Sequence, residues 1–316
     1  MPLSRRALFA LPALAALPAL AQADYPTKAI RIIVPFAPGG SADTLGRLVA
    51  QHLKGTFVVE NRPGAGGVLG SEMVAKAQPD GYTLVVSGIA SHAIAPALPQ
   101  GAPYDPVNDF THIALFGGPP AVLAVNPSLE AKDLREFVAL AKAKPLSYGS
   151  PGNGTQGQLV AELFKRKAGI DLQHIPYKGA SGAVTDLIAG HIPVISTTLT
   201  TAASQIRAGR ARGLAISAPL RLADFPDIPT FAELGYRDLV ATVWFSLSGP
   251  ANLPADIVER LNAEVNRALD VPEVRERLKP EGIVPQRLTA KEFAGFVADE
   301  VQRWAPVVRA SGAKND

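Results

Sequence analysis

Two glycine-rich turns carry the residues best suited to chemistry. The first is Phe36-Ala37-Pro38-Gly39-Gly40-Ser41-Ala42-Asp43, and the second is Tyr148-Gly149-Ser150-Pro151-Gly152-Asn153-Gly154-Thr155. Each follows an apolar run and opens an amphipathic one. A strand–glycine turn–helix junction aims free backbone N–H groups at one spot, at the positive end of a helix dipole. Glycine admits backbone shapes closed to other residues and lets a ligand approach the main chain. Ser41, Ser150 and Thr155 add hydroxyls that can cap a helix or reach an oxyanion. Asp43, in the first turn of its helix, either complements the dipole or accepts a bond from a ligand amine, hydroxyl or bound water. It cannot face a ligand carboxylate directly without like-charge repulsion. Two such junctions predict a clamp for a small anion.

Other chemistries fit less well. Gly152, Gly154 and Gly157 spell G-x-G-x-x-G, but a dinucleotide site needs an acid at the far end of the next strand. Asp171 is near the right distance and precedes that strand, Leu172–Ile175, instead of ending it. A nucleophile elbow, G-x-S-x-G, fails at Tyr148, and Pro151 removes the N–H that would follow the serine. An exported serine hydrolase stays as a minor alternative, although no local signal ties a histidine to Ser150. The histidines, His52, His92, His112, His174 and His191, show no paired metal-ligand spacing. Surface or satisfied core positions are expected for them. His92 is the exception: with Ser87 and Ser91 it follows a strand and opens a helix, which would turn it toward the cleft. Pro176-Tyr177-Lys178-Gly179 marks a further strand–helix junction. Lys178 is there either a solvated lysine or a cation that draws in an anion. Gly64-Ala65-Gly66-Gly67 reads as a shaped turn rather than a ligand contact. No metal and no cofactor is expected.

The elements that position these turns alternate along the chain. Ile30–Val34, Thr83–Ser87, Ala121–Val125, Gly213–Ile216 and Val243–Leu247 suit buried strands. Ser41–Leu53, Thr155–Lys167 and Ala180–Ala189 have apolar residues at helical spacing. Pro254–Leu269, Val271–Lys279 and Ala290–Ser311 read as helices packing on the first lobe. The fold class is therefore α/β: two Rossmann-like lobes with mostly parallel sheets. Two proline-rich stretches, Phe116–Leu129 and Pro219–Gly235, look like crossings between the lobes. Lobe one is expected over 24–122 and 229–316, and lobe two over 123–228. Ligand is expected between them, at the carboxyl ends of strands.

Composition sets outer bounds. Residues 1–23 read as a signal peptide: basic Arg5-Arg6, an apolar run interrupted by Pro12 and Pro18, then Ala21-Gln22-Ala23. Cleavage is expected after Ala23. The run falls short of the ~20 residues that span a bilayer. Loss of Arg5 and Arg6 lowers the net charge from +3 to +1, and no Lys/Arg cluster suggests nucleic acid. Cysteine is absent, which excludes disulfides and thiolate chemistry.

An ordered set of motifs resembles a known family. The set runs from Tyr25-Pro26 and Ile32-Ile33-Val34-Pro35-Phe36 into Pro38–Asp43, then through Val59-Glu60-Asn61-Arg62-Pro63-Gly64-Ala65-Gly66-Gly67 and Pro79-Asp80-Gly81-Tyr82-Thr83-Leu84. Tyr104-Asp105-Pro106, Tyr148-Gly149-Ser150 and Pro176-Tyr177-Lys178-Gly179 follow. Phe225-Pro226-Asp227-Ile228-Pro229-Thr230, Glu233-Leu234-Gly235 and Leu261-Asn262 complete it. In this order they resemble the Bug family, the solute receptors of tripartite tricarboxylate transporters. The resemblance implies a periplasmic, Venus-flytrap receptor that closes on a carboxylate, with an inner-membrane transporter or a sensor kinase as partner and a monomer as the simplest state. After the glycine matching Gly190 the family commonly shows Asp-Asn-Leu-Pro. This chain has Thr197, Thr198, Leu199 and Thr200. A carboxylate and an amide become hydroxyls, which removes a partner for a ligand amine if that loop faces the ligand. Phe36, Asp43, Ser87, His92, Tyr177, Thr197 and Thr198 are the side chains expected to set specificity.

Overall fold

A computed structural model describes residues 25–36, 38, 41–177, 179–279, 282–283 and 285–311. The expected leader and its cleavage point lie outside these residues, as do Ala37, Gly39, Gly40 and Lys178.

The first sheet starts with β1 (Ile30–Val34), α1 (Ser41–Ala50), β2 (Phe57–Asn61), α2 (Val68–Ala75) and β3 (Thr83–Gly88), two successive βα units. A π-helical turn, Ala90–Ile94, follows β3, and β4 (Phe110–Gly117) comes next. The chain then leaves for the second sheet. There it builds β5 (Ala121–Val125), α3 (Leu134–Ala143), β6 (Leu146–Ser150), α4 (Gln156–Ala168), β7 (Leu172–Pro176), α5 (Ala180–Ala189), β8 (Val194–Thr198), α6 (Leu199–Arg207) and β9 (Arg212–Ile216). It returns as β10 (Phe245–Pro250), followed by α7 (Ala255–Asp270), α8 (Pro272–Leu278) and α9 (Ala290–Ser311).

The two sheets repeat one plan. Their strand orders are β2-β1-β3-β10-β4 and β7-β6-β8-β5-β9. In each, four strands run one way and the fourth in order runs against them: β10 is antiparallel to β3 and β4, and β5 to β8 and β9. The reversed strands are the ones that arrive from the other sheet, so a direct crossing dictates their direction. β1 carries Ile30, Ile32, Ile33 and Val34 into the core, and β5 is buried along its whole length. Such strands lie between helices on both faces.

The crossings lie side by side. Val243 N–H donates to Pro119 O at 3.0 Å, and Pro120 forms an antiparallel bridge with Thr242. Ser217 Oγ accepts from Ala121 N at 2.8 Å and also bonds Ala241 O, while Ala241 N donates to Ser217 O at 2.8 Å. α9 packs on β4, on the Ala90–Ile94 turn and on α4, touching both halves of the molecule. Its buried Glu300 accepts from the indole N–H groups of Trp304, at 2.9 Å, and Trp244, at 3.0 Å. That bond ties α9 to the start of the return strand.

Candidate functional site

The two junctions sit at the carboxyl ends of matching strands, β1 and β6, each second in the strand order of its sheet. The described residues Phe36 and Gly154 lie on either side of the Ala90–Ile94 turn. A Cβ built on Gly67 would lie 2.9 Å from the Phe36 ring and 3.1 Å from Ser91 Cβ, so Gly67 sits between Phe36 and Ser91. A Cβ on Gly154 would lie 3.9 Å from Ile94 Cγ2. Phe36, across Gly67, and Gly154 thus flank one short segment from opposite lobes.

In the first turn the described residues form a side-chain clip. Asn61 Nδ2 donates to Phe36 O at 3.1 Å and to Asp43 Oδ1 at 2.9 Å. Arg47 donates to the same Asp43 oxygen at 2.9 Å and to Asn61 Oδ1 at 2.8 Å. Asp43, buried and paired with Arg47, anchors α1 to the end of β2. Ser41 is the first residue of α1 and half-buried, and Pro38 is exposed. The Gly64–Gly67 stretch has φ of 147°, 65° and 96° at its three glycines, the shape that a turn requires.

The second turn is held from below. Gly152 O accepts from the hydroxyls of Ser150, at 3.1 Å, and Thr155, at 2.7 Å. Gly152 and Gly154 have φ of 146° and 68°. Thr155 is the N-cap of α4, so its hydroxyl serves the loop and the helix. The N–H groups of Gln156 and Gly157 stand in the first turn of α4, where no intrahelical acceptor exists. Gly157 is a packing residue: a Cβ there would meet Ser196 O at 2.3 Å, which glycine avoids as α4 crosses β8. The apparent G-x-G-x-x-G thus has a backbone-shape role at two positions and a packing role at the third.

A serine–histidine contact exists that sequence did not announce. Ser150 Oγ lies 2.7 Å from His174 Nε2. The residues are 24 apart in sequence, but β6 and β7 pair with Tyr148 opposite His174. The imidazole stacks on the Tyr148 ring, 4.9 Å between centroids. Gly154 N–H donates to Gln158 Oε1 at 2.7 Å, so Gln158 turns its NH2 toward His174 Nδ1, 3.3 Å away. A ring nitrogen that accepts carries no proton, so the tautomer that satisfies the Gln158 NH2 keeps its proton on Nε2, facing Ser150. A nucleophilic serine needs the reverse, an imidazole lone pair facing its hydroxyl.

Four expected specificity residues stand elsewhere than at an open rim. Ser87 is fully buried in β3 and shares bonds of 2.7 Å with both Ser246 and Ser248. It belongs to a polar seam inside the first sheet that continues from Ser248 to His112 at 3.1 Å. His92, expected toward the cleft, is also fully buried, bonded to Ser91 Oγ at 2.9 Å and packed 4.5 Å from the Phe110 ring centroid. Burial holds it well below the usual imidazole range, with the neighbouring His112 adding to the effect. β3 runs one residue past the expected end, to Gly88, and both residues lie inside the sheet's packing rather than at its rim. Tyr177 lays its ring against Gly149 and Gly182 and donates to Asp186 Oδ2 at 2.6 Å. Burial and that carboxylate push its phenol up to about 12. Thr197 is buried, with no partner for its hydroxyl among the described residues. Thr198 is half-buried and bonds Thr201 Oγ1 at 3.0 Å, just before α6.

Asn61, Arg47, Gln158 and His174 were not singled out from sequence as contributors to these turns. Asn61 and His174 act from neighbouring strands, which only the strand register reveals, while Arg47 and Gln158 reach back from α1 and α4. Among the described residues no group of histidine and acidic side chains could hold a metal ion, and no helix is long and apolar enough to cross a membrane.

The family model described as "Tripartite tricarboxylate transporter family receptor" matches residues 42–313. The chain belongs to the tripartite tricarboxylate transporter receptor family. Protein BugT of Bordetella pertussis, a curated relative, is 39% identical over 92% of this chain and 91% of its own. Among solved structures, Rpa4515 of R. palustris with adipate is 31% identical with a TM-score of 0.77, covering 92% of this chain and 99% of that one. MatC (Rpa3494) from Rhodopseudomonas palustris, with bound malate, is 32% identical with a TM-score of 0.74, covering 90% and 100%. The two-lobed α/β fold read from the sequence is the fold of this receptor family.

Proposed function

We propose that this receptor clamps a small carboxylate between its lobes and presents it to an inner-membrane transporter of the tripartite type. The observation that carries the reading is the placement of two strand–turn–helix junctions, one per lobe, with Phe36 (across Gly67) and Gly154 flanking Ala90–Ile94. Relatives of similar length have structures with adipate and malate. One ligand carboxylate sits against the turn Phe36, Ala37, Pro38, Gly39, Gly40 and Ser41. A second group sits against Ser150, Gly152, Gly154 and Thr155, where α4 begins. Most donors are backbone N–H groups, which favour an oxyanion whatever the side chains nearby. Lys178 raises the local concentration of anions, and Thr198 trims the fit. Asp43, Ser87, His92, Tyr177 and Thr197 shape the walls from behind, since their polar atoms are paired or buried.

The hinge lies in the paired crossings 118–120 and 217–244, and closure shifts an open–closed equilibrium. The protein acts as a monomer in the periplasm after removal of residues 1–23, needs no cofactor and binds no nucleic acid. It is a receptor rather than an enzyme, and the proton placement at His174 supports that over hydrolysis. A sensor kinase is the alternative partner and would use the same closed form. A thermal-shift screen of the chain from Asp24 onward tests the reading. The panel spans di-, tri- and aromatic carboxylates with their amides. A ligand at 100 times its Kd stabilises by about 2.7 kcal/mol. A shift for one acid class, absent for its amide, is expected; no shift from any acid with a ligand-stripped sample contradicts the proposal.

A further inference from the structure

Under the second turn lies a directed chain of hydrogen bonds that no ligand contact requires. Gly154 N–H donates to Gln158 Oε1 at 2.7 Å, Gln158 Nε2 faces His174 Nδ1 at 3.3 Å, and His174 Nε2 meets Ser150 Oγ at 2.7 Å. Ser150 Oγ then donates to Gly152 O at 3.1 Å and accepts from Gly152 N at 3.2 Å. The chain begins and ends on the loop backbone. We propose that His174 and Gln158 are positioning residues for loop 150–155, and that they hold it only while His174 is neutral with its proton on Nε2. The inference rests on that loop being a ligand contact.

The polarity of the chain makes it conditional. A protonated imidazole donates from both nitrogens. Its Nδ1–H would then face the Gln158 NH2, donor against donor. Gln158 cannot turn its oxygen to His174 without taking it from Gly154 N–H. Turning takes the acceptor from Gly154 N–H, and not turning opposes two donors, which pushes the Gln158 side chain, with that acceptor, away from the ring. The charged groups around the ring come from β6, α4 and the start of β7. Tyr148 stacks on it and donates to Glu162 Oε1 at 2.7 Å. Lys165 pairs with Glu162 at 3.1 Å and with Asp171 at 3.5 Å. Burial is the largest influence on the imidazole and lowers it below its ordinary range; Glu162 pulls it up and Lys165 pushes it down. The loop is therefore held at neutral pH and released on acidification, through a transition lying below the usual histidine value near 6.5.

Nitrogen-15 NMR of the ligand-free chain from Asp24 onward tests this without any ligand. Comparison with His174→Gln assigns the ring. The expected spectrum at pH 7.5 shows the Nε2–H tautomer, and the Gly152 and Gly154 amides titrate with the imidazole. In His174→Gln, whose amide keeps a donor and an acceptor without a proton to gain, those amides hold their neutral-pH shifts and stop titrating. Gln158→Glu, which sets a carboxylate beside Nδ1, raises the imidazole pKa by at least about one unit. An Nδ1–H tautomer, or loop amides that ignore the titration, overturns the proposal. Binding of malate supplies the functional arm. Across the imidazole titration that the NMR locates, wild-type affinity falls at least about fivefold more than that of His174→Gln, which carries malate's own titration as a control. Equal falls overturn the link to binding. If malate binds neither protein, the ligand reading fails for that acid, and the amide titration still decides the positioning role.

Discussion

Gly118→Ala is expected to damage the crossing between the lobes more than any single methyl added elsewhere in the crossings. A Cβ at residue 118 would lie 1.6 Å from Val243 O, 2.5 Å from its carbonyl carbon and 3.0 Å from Trp244 Cα. All three are backbone atoms, so no side-chain rotation relieves the overlap. Bringing the Cβ–oxygen separation to an ordinary contact requires the strands to part by roughly 1.5 Å. That movement breaks the Val243 N–Pro119 O bond of 3.0 Å and strains the Ile89 N–Trp244 O bond of 3.3 Å. A lost hydrogen bond costs about 1 kcal/mol and overpacking about 1–3 kcal/mol. The expected loss is thus about 3 kcal/mol, read as a lower urea midpoint with an unchanged slope. Gly295→Ala is the control. It lies on the exposed face of α9 with nothing within 4 Å of the added Cβ. There alanine should stabilise by roughly 0.5–1 kcal/mol, because glycine weakens a helix interior. A Gly118→Ala protein within about 0.5 kcal/mol of wild type would refute the close apposition of the crossings.

The remaining predictions concern pH and capping. His112 is buried, bonded to Ser248 and Pro106, and held down to about 4 by loss of solvation. The unfolded chain takes up this proton below about 6.5 and the folded one only near 4, so stability is complete above 6.5 and falls as pH drops through that window. At pH 5 the loss from this residue is about 2 kcal/mol; a His112→Gln protein should lose correspondingly less between pH 7.5 and 5, and an equal loss would contradict the assignment. Thr155→Ala removes the cap of α4 and one bond to Gly152 O. It should lower stability by about 1 kcal/mol in urea unfolding, and no change would mean the hydroxyl does not cap.

Much of the fold could be read from apolar spacing. Ile30–Val34, interrupted only by Arg31, and Ala121–Val125 are aliphatic runs, and they are strands with those bounds. Ala180–Ala189 and Ala290–Ser311 keep helical spacing and are helices with those bounds. The stretch Phe116–Leu129, expected as a crossing, contains the end of β4 at Gly117 and all of β5, leaving 118–120 between the two strands. The glycine turns were legible because strand, glycine and helix are each local signals. What escaped was contact across strands. His174 reached Ser150 only because β7 pairs with β6 in one register, since a shift of one residue would send the imidazole to the opposite face. Asn61 reached Phe36 and Asp43 by the pairing of β2 with β1. Ser87 was misplaced for a related reason. A serine near a strand end reads as a rim residue until its neighbours, here Ser246 and Ser248 of a strand arriving from the other lobe, are known.

The most direct test of the carboxylate clamp is a crystal structure of the chain from Asp24 onward with the acid that gives the largest thermal shift. The account predicts closed lobes, one carboxylate within about 2.7–3.2 Å of backbone N–H groups in the 36–43 turn, and a second polar group at the same distance from the first turn of α4. A ligand bound outside the space between the lobes, or touching neither turn, would contradict it.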